Sequence, residues 1–404
     1  MAAVKTVAII GGGLGGLATA IALRNHGFDV QVYERATGLR EVGAGINISP
    51  QATKALGAMG LDDQMARIGN RLTAQLRRSV ETGDVVAEMD LKPIAERLGA
   101  PYYVFHRADL LDLFADAVGA DQINLGHRCV GLSESEDGVT ATFENGRSIT
   151  ADLLIGADGI HSEVRRYLYG ADDPKFTGQM AWRALLDGDA VPPAVLGPHG
   201  FCGWVGRGCH LMTYYMRGNK LINIVTQADT AEWMDEGWSI AGRAEDMRAS
   251  FPNANPDLAV LLDAVTECSR WGLFSREPTF NWGRGRIQLI GDAAHAMLPN
   301  AGQGAAQAFE DAYILARWMD AMRDDPLGAF ENFRRVRYPR AHAVQRQSAA
   351  NAKILHSGKW QGGASGAPTP PSGNQAALGL DWIYNFDPVK DWDKQIDYPL
   401  SRAE

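Results

Sequence analysis

Basic excess, clustered cysteines and membrane-length apolar runs are all missing from this 404-residue chain. Each absence removes a class of function. The net charge is −9, and an acidic surface has no basic footprint for the phosphates of a nucleic acid. Four cysteines occur, at 129, 202, 209 and 268, without C-x-x-C or zinc spacing. They are too sparse for a disulfide framework and fit a reducing, cytoplasmic setting, with no metal site expected. Thr6 to Leu23 is uncharged and follows Lys5, superficially like a secretory h-region or short span. Its glycines at 11, 12, 13, 15 and 16 would make a poor lipid-facing helix, so neither a membrane nor a targeting segment is expected. No internal repeats occur.

The composition is ordinary for a globular protein, with 46% hydrophobic and 22% charged residues, and the length suits two to three domains. The first forty residues are the most informative. Val4 to Ile10 is a β-branched run of strand length, followed by glycines and then by helix-favouring LATAIALRNHG, which Gly27 is placed to end. Asp29 to Tyr33 is a second strand that stops at Glu34. This is one strand–helix–strand unit. In its turn, Gly11-x-Gly13-x-x-Gly16 matches the dinucleotide fingerprint. The first glycine permits the tight turn, the second admits a pyrophosphate, and the third lets helix and strand touch. The helix N-terminus supplies N–H groups and partial positive charge. Glu34 lies about 20 residues on, where a carboxylate accepts ribose hydroxyls and repels a 2′-phosphate. FAD or NAD fits this pocket and NADP does not.

Two later segments repeat the logic. Asp152 to Asp158 (DLLIGAD) runs into GIHSEVR, and Arg286 to Asp292 (RIQLIGD) runs into AAHAMLPNAGQGAAQAFEDA. Each is an apolar strand that delivers an aspartate to the carboxyl edge of a sheet, where open α/β sheets bind ligands. In the second, Gly302 and Gly304 precede a helix expected over Ala305 to Met319, whose amides can face an electron-rich ring edge.

With Glu34, these three motifs resemble those of the class A aromatic-ring hydroxylases, single-component FAD monooxygenases of the para-hydroxybenzoate and salicylate hydroxylase type. HRADLL (106–111) resembles that family's arginine segment, and the likeness runs from about residue 1 to 345. It implies non-covalent FAD, NAD(P)H as a transient co-substrate without a Rossmann domain of its own, and O2. A flavin hydroperoxide would then hydroxylate a small electron-rich aromatic acid. Carried over position by position, Glu34 would hold the adenosine ribose and Arg107 the flavin side. Asp158 and Gly159 would lie near the pyrophosphate and the nicotinamide approach, and Asp292 on the ribityl chain. Pro299, Gly302, Gly304 and Ala305 would frame the isoalloxazine. Leu14, Gly15, Arg35, Gly45 and Val130 complete the expected cofactor set. An ordinary turn role for Asp158 and a packing role for His295 stay open.

The segments between the motifs do not read as strand–helix units. Residues 72–100 contain LTAQLRRSV and DVVAEMDL around the turn ETGD, and residues 176–275 contain short alternating runs with glycine turns. The expected architecture is α/β. A doubly wound, Rossmann-like FAD-binding domain (1–71, 101–175, 276–356) is interleaved with a mixed or antiparallel substrate domain (72–100, 176–275), and a linker and C-terminal arm follow (357–404). The substrate should lie between the two domains. On Cys209 to Met216, alternation puts His210, Met212 and Tyr214 on one face and Leu211, Thr213 and Tyr215 on the other. Which face looks inward stays open, so Tyr214, Tyr215 and His210 are all catalytic candidates, and Cys202 is a pocket candidate. One departure matters. Where several family members carry histidine or glutamine after the third motif's proline, this chain has Asn300, and Asn47 occupies the early ring-approaching segment. An amide hydrogen-bonds but is no general base near pH 7.

Glu331 to His356 is helix-like apart from Pro339, and its arginines at 334, 335, 337, 340 and 346 suggest a solvated or subunit-facing surface. Ser357 to Gln375 has linker composition. The aromatic arm beyond it, Leu380 to Phe386 with Trp392, should dock on its own body or across a homodimer. Alternative functions are hydroxylation of a hydroxypyridine carboxylate, a decarboxylative version, or a flavin redox sensor that binds a partner.

Overall fold

A computed structural model describes residues 6–39, 44–231, 240–357, 380–396 and 398. Most of the Ser357–Gln375 stretch therefore lies outside the described residues, as do Val4 and Lys5. Thr6–Ile10 is the central strand of a six-stranded sheet, parallel to Asp29–Tyr33 on one side and to Leu153–Gly156 on the other. Ile287–Leu289 extends it in parallel beyond Leu153–Gly156. The three motifs thus end side by side at one carboxyl edge, since parallel strands share a direction. The helices Leu14–Asn25 and Gly304–Ala321 pack against this sheet, and Ile9, Leu17, Val30 and Phe309 beneath them are fully buried.

The second sheet has eight strands and is mixed. Its order is Ile240–Gly242, Cys268–Ser275, Lys175–Asp187, Leu221–Asp229, Cys209–Met216, Phe201–Gly206, Ala74–Ser79 and Val85–Asp90. All pairings are antiparallel except Phe201–Gly206 with Ala74–Ser79. The early hairpin thereby joins strands that follow it by more than a hundred residues. One face of this sheet buries Trp204, Leu211 and Ile224 with Leu258 and Leu261 of the helix Pro256–Asp263. Each such side chain stabilises the fold by roughly 1.5–3 kcal/mol. The other face turns toward the six-stranded sheet.

Two expectations about the C-terminal region need correcting. The helix Pro326–Leu355 runs through Pro339, and Arg337 and Arg340 are fully buried in it rather than solvated or subunit-facing. Arg335 and Arg346 do face solvent. The buried guanidiniums have partners on the helix Gly304–Ala321. Arg337 donates to Glu310 and Asp311, both at 2.7 Å, and Arg340 donates to both Glu310 oxygens at 2.6 and 2.8 Å. Arg340 also donates to the Ile383 carbonyl and lies 4.2 Å from the Phe386 ring centre. The aromatic arm is docked on its own subunit. Among the described residues no helix is long and apolar enough to cross a membrane.

Candidate active site

At the first strand end, Gly11 has φ of +110°, and a Cβ there would collide with the Ala157 carbonyl. A Cβ at Gly16 would collide with the Gly11 carbonyl, so strand and helix can approach this closely only with glycine at both places. Gly13 caps the helix Leu14–Asn25 and faces open space. Leu14 is buried beneath it, and Gly15 packs where a Cβ would stand 3.2 Å from that of Ala308. The Glu34 carboxylate accepts the N–H groups of Gly12 at 2.7 Å and Ala36 at 2.8 Å, which fixes it at the rim. Arg35 is exposed beside it, and Val130 is exposed on the strand Cys129–Glu134.

Asp158 has a largely local environment. It accepts the Ser162 hydroxyl and the N–H groups of Glu163 and Val164, so it anchors the start of the helix Glu163–Tyr169. Burial raises its pKa against these hydrogen bonds. Gly159, with φ of +80°, follows it. Asp292 lines a large cavity, where burial raises its pKa and the charges of His295 and Arg107 oppose that rise. Pro299, Gly302, Gly304 and Ala305 line the same cavity. Gly302 has φ of +63°, turning the chain into the N-terminus of Gly304–Ala321. Gln303 ties that turn to Ser49 and Gln51 at 3.1 and 2.8 Å.

This edge fits FAD. It offers a glycine cradle that a Cβ would fill, a fixed carboxylate at the rim, and a long helix whose unpaired amides point into a cavity. When bound, FAD supplies the redox and oxygen-activating chemistry of the site. His295 stays out of the cavity: it is fully buried, 2.6 Å from Asp311 and packed on Trp282.

The cavity measures about 310 Å³ and runs from this edge to the eight-stranded sheet. Its sheet wall resolves the question that alternation left open. His210, Met212 and Tyr214 face inward. Tyr214 is stacked on Phe201 at 5.4 Å, with its hydroxyl close to Gly45, whose N–H donates to Asn223. Tyr215 points the other way, into the apolar layer behind the sheet, and so does Cys202. These two pocket candidates are corrected to the packed face, where burial pushes the Cys202 thiol up to about 12. Asn47 and Asn300 both reach the cavity, and both amide atoms of the nearly buried Asn300 lack a partner among the described residues.

Four of the contributors that sequence reasoning missed matter most here. Arg77 and Gln75 come from the early hairpin, Gln227 from the strand beside His210, and Tyr384 from the arm. Arg77 is the most consequential. It donates to the Leu76 carbonyl and to Gln75, its Nε has no hydrogen-bond partner, and the titratable groups near it are Tyr102, Tyr384 and His210 on the cavity side and Cys202 behind the sheet. No carboxylate among the described residues balances this charge, and burial lowers its pKa. A hairpin arginine signals nothing by itself. Only pairing with a distant strand brings it inside.

A family model described as an FAD binding domain matches residues 4–346. The chain is 36% identical over 351 residues to a 3-amino-4-hydroxybenzoate 2-monooxygenase from Streptomyces platensis, covering 87% of this chain and 88% of that protein. It is 36% identical over 354 residues to a 6-hydroxynicotinate 3-monooxygenase from Bordetella bronchiseptica, covering 85% and 91%. Among solved structures, a salicylate hydroxylase in a substrate complex matches with a TM-score of 0.83 and 26% identity, covering 99% of this chain and all of that one. A three-motif edge that fits FAD and an eight-stranded sheet sharing one cavity make the same case, and the chain belongs to the FAD-dependent aromatic-ring hydroxylases, the class A flavoprotein monooxygenases.

Proposed function

We propose that this enzyme hydroxylates a one-ring aromatic carboxylate whose hydroxyl stands para to the carboxylate. The observation that carries the reading is Arg77, a cation enclosed at the cavity wall without a counter-ion. A buried unpaired charge is costly, and an anionic ligand supplies the missing partner through a planar donor fork. His210 lies near enough for the Arg77 charge to disfavour its protonation, so one ring can meet both. The substrates named for the two relatives are a hydroxybenzoate and a hydroxypyridine carboxylate, and both carry hydroxyl and carboxylate para to each other.

In this reading Arg77 binds the carboxylate and Asn47, Asn300 and Tyr214 orient the ring against the flavin edge. His210 accepts a hydrogen bond from, or a proton of, the ring hydroxyl. Glu34 holds the adenosine ribose, Asp292 the ribityl chain, and the start of Gly304–Ala321 the ring's electron-rich edge. The apolar wall of Leu273, Trp271 and Phe274 excludes water, which otherwise discharges activated oxygen as peroxide.

A panel of ortho-, meta- and para-hydroxylated benzoates and pyridine carboxylates, with the corresponding neutral phenols, tests this. Para-hydroxy acids are expected to stimulate NADH oxidation and yield a hydroxylated product. Arg77→Met should raise their KM about tenfold to a hundredfold, as loss of a charged hydrogen bond of ~1.5–3 kcal/mol requires. Wild-type turnover of neutral phenols as efficient as that of the para-hydroxy acids, or an unchanged KM for those acids in Arg77→Met, would refute it. Carbon dioxide release during turnover marks a decarboxylative course.

A further inference from the structure

Behind the cavity wall, His210 does not end in the protein core. Its Nδ1 lies 2.8 Å from Nε2 of His356, and Nδ1 of His356 lies 2.7 Å from Oδ1 of Asp229. His210 is 2% exposed and His356 9%, whereas the Asp229 side chain is 56% exposed. Two imidazoles and a carboxylate thus form a continuous line from a cavity-facing ring to solvent. The line is built from three separate places in the chain. His210 and Asp229 sit on adjacent strands, and His356 ends the long helix Pro326–Leu355. Its carbonyl accepts the Gly208 N–H at 3.0 Å, and the Gly208 carbonyl accepts the Asp229 N–H at 3.0 Å, so the hairpin turn clamps all three.

The hydrogen-bond directions are determined by the exposed end. Two lone pairs cannot face each other at 2.7 Å, so a carboxylate there requires the proton on Nδ1 of His356. Nε2 of His356 then carries a lone pair and accepts Nδ1–H of His210. Nε2 of His210 is left unprotonated on a ring that lines the cavity, and no described residue takes it. Gln179 steadies the outer end by donating to Asp229 at 3.1 Å, and the same amide nitrogen stands 3.3 Å from Nδ1 of His356, farther than the 2.7 Å carboxylate that takes the Nδ1 proton. The charged groups that face His210 are His356 and Arg77, and with burial they disfavour a lasting positive charge on it. A ring that resists charge is a poor place to store a proton and a good place to pass one through.

We propose that His356 and Asp229 carry the substrate's hydroxyl proton from His210 to solvent. The substrate O–H bond breaks as a bond forms to Nε2 of His210. Nδ1–H of His210 passes to Nε2 of His356, and Nδ1–H of His356 passes to the Asp229 carboxylate and then to water. One proton leaves, no imidazolium persists, and both rings have exchanged tautomers; the exposed Asp229 side chain, ionised again, turns away from the lone pair now on Nδ1 of His356 until the proton returns. The same line run backwards returns a proton to the product and restores them. His356 and Asp229 touch neither substrate nor flavin in this scheme and act through His210.

The proposal rests on the para-hydroxy acid reading, so its test keeps the two apart. The probe is 4-hydroxy-3-nitrobenzoate, a para-hydroxy acid whose phenolate is coloured, mixed with oxidised holoenzyme without NADH. Stopped-flow absorbance reads phenolate formation, and an indicator dye in weak buffer reads proton release. His356→Ala and Asp229→Asn are expected to keep their flavin and to bind the probe within about threefold of wild type. Both steps should slow by about tenfold or more, the low end of what general acid–base groups contribute. Added imidazole should restore His356→Ala. Asp229→Asn changes an exposed side chain, so its result stands even if the histidine variant folds poorly. Wild-type rates of ionisation and proton release in Asp229→Asn with bound probe would overturn the relay alone. Failure of wild type to bind the probe would overturn the substrate reading, and the relay with it.

Discussion

Tyr214 and Tyr215 are neighbours in sequence and opposite in situation. Alternation along the strand Cys209–Met216 sends the first into the cavity beside Gly45 and the second into the apolar layer with Leu211 behind the sheet. Their phenylalanine variants should therefore separate cleanly. Tyr214→Phe removes a hydroxyl from the ring-binding space, and at ~0.5–1.5 kcal/mol for a hydrogen bond the substrate affinity should fall up to about tenfold. A looser ring admits water, so peroxide formed per NADH consumed should rise. Tyr215→Phe should leave both near wild type. Peroxide assays with and without catalase decide it, and an uncoupled Tyr215 variant with a silent Tyr214 would reverse the assignment of faces. The strand pattern identified two faces but not their direction, because direction depends on the layers on either side. For the same reason the sequence offered Cys202 as a pocket residue, although it shares the packed face with Thr213.

The helices Gly304–Ala321 and Pro326–Leu355 carry the charges that composition alone misplaces. Phe330, Phe333, Arg337, Arg340, Val344 and Ser348 fall three or four apart and are all buried, so they form one helical face. That spacing was available in the sequence, but five arginines read as solvent-facing when their partners, Glu310 and Asp311, lie on another helix. The flavin motifs were legible for the opposite reason: each is a strand, a turn and a helix start within a few residues. Asp311 links the two helices to the cofactor edge, since it accepts the Gly291 N–H at 2.9 Å beside Asp292 and pairs with His295 and Arg337. Burial alone would raise its carboxyl pKa, but the facing His295 and Arg337 prevail and hold it below the ordinary value. A carboxylate depressed in the folded state adds stability above its unfolded pKa of ~4 and loses it as pH falls through the folded value. Asp311→Asn should therefore be less stable near pH 7 and should lose less of its remaining stability on acidification. Arg337→Met, which leaves Oδ1 of the buried Asp311 without its cation and removes one of two arginines from Glu310, should lose about 3–5 kcal/mol. Denaturant melts at several pH values check both, and parallel pH curves for Asp311→Asn and wild type would remove Asp311 from the acid response.

At the scale of the whole chain, the aromatic arm closes the molecule. Leu380, Ile383, Tyr384 and Phe386 are all nearly inaccessible, and Leu380 and Tyr384 line the cavity between the two sheets. Tyr102 meets Tyr384 edge-on at 6.5 Å, Lys54 pairs with Asp387 at 2.6 Å, and Trp392 packs on Trp318 at 4.9 Å. At roughly 1.5–3 kcal/mol for each large apolar side chain, this burial outweighs the ~0.6 kcal/mol that each doubling of the tether costs. The apolar surface that argued for a partner subunit is thus covered within one chain, and the arm gives no reason to expect a dimer. Truncation after residue 379 should leave the mass in solution unchanged apart from the missing residues. It should also lower the melting temperature by several degrees or more, because a loss of 1 kcal/mol already shifts a domain by ~2–4 °C. The same truncation removes two residues that line the cavity, so peroxide per NADH should rise further than stability alone would explain. Measuring coupling well below the melting temperature separates these effects. A truncated enzyme with wild-type coupling and melting would show that the arm is neither a structural clamp nor part of the pocket.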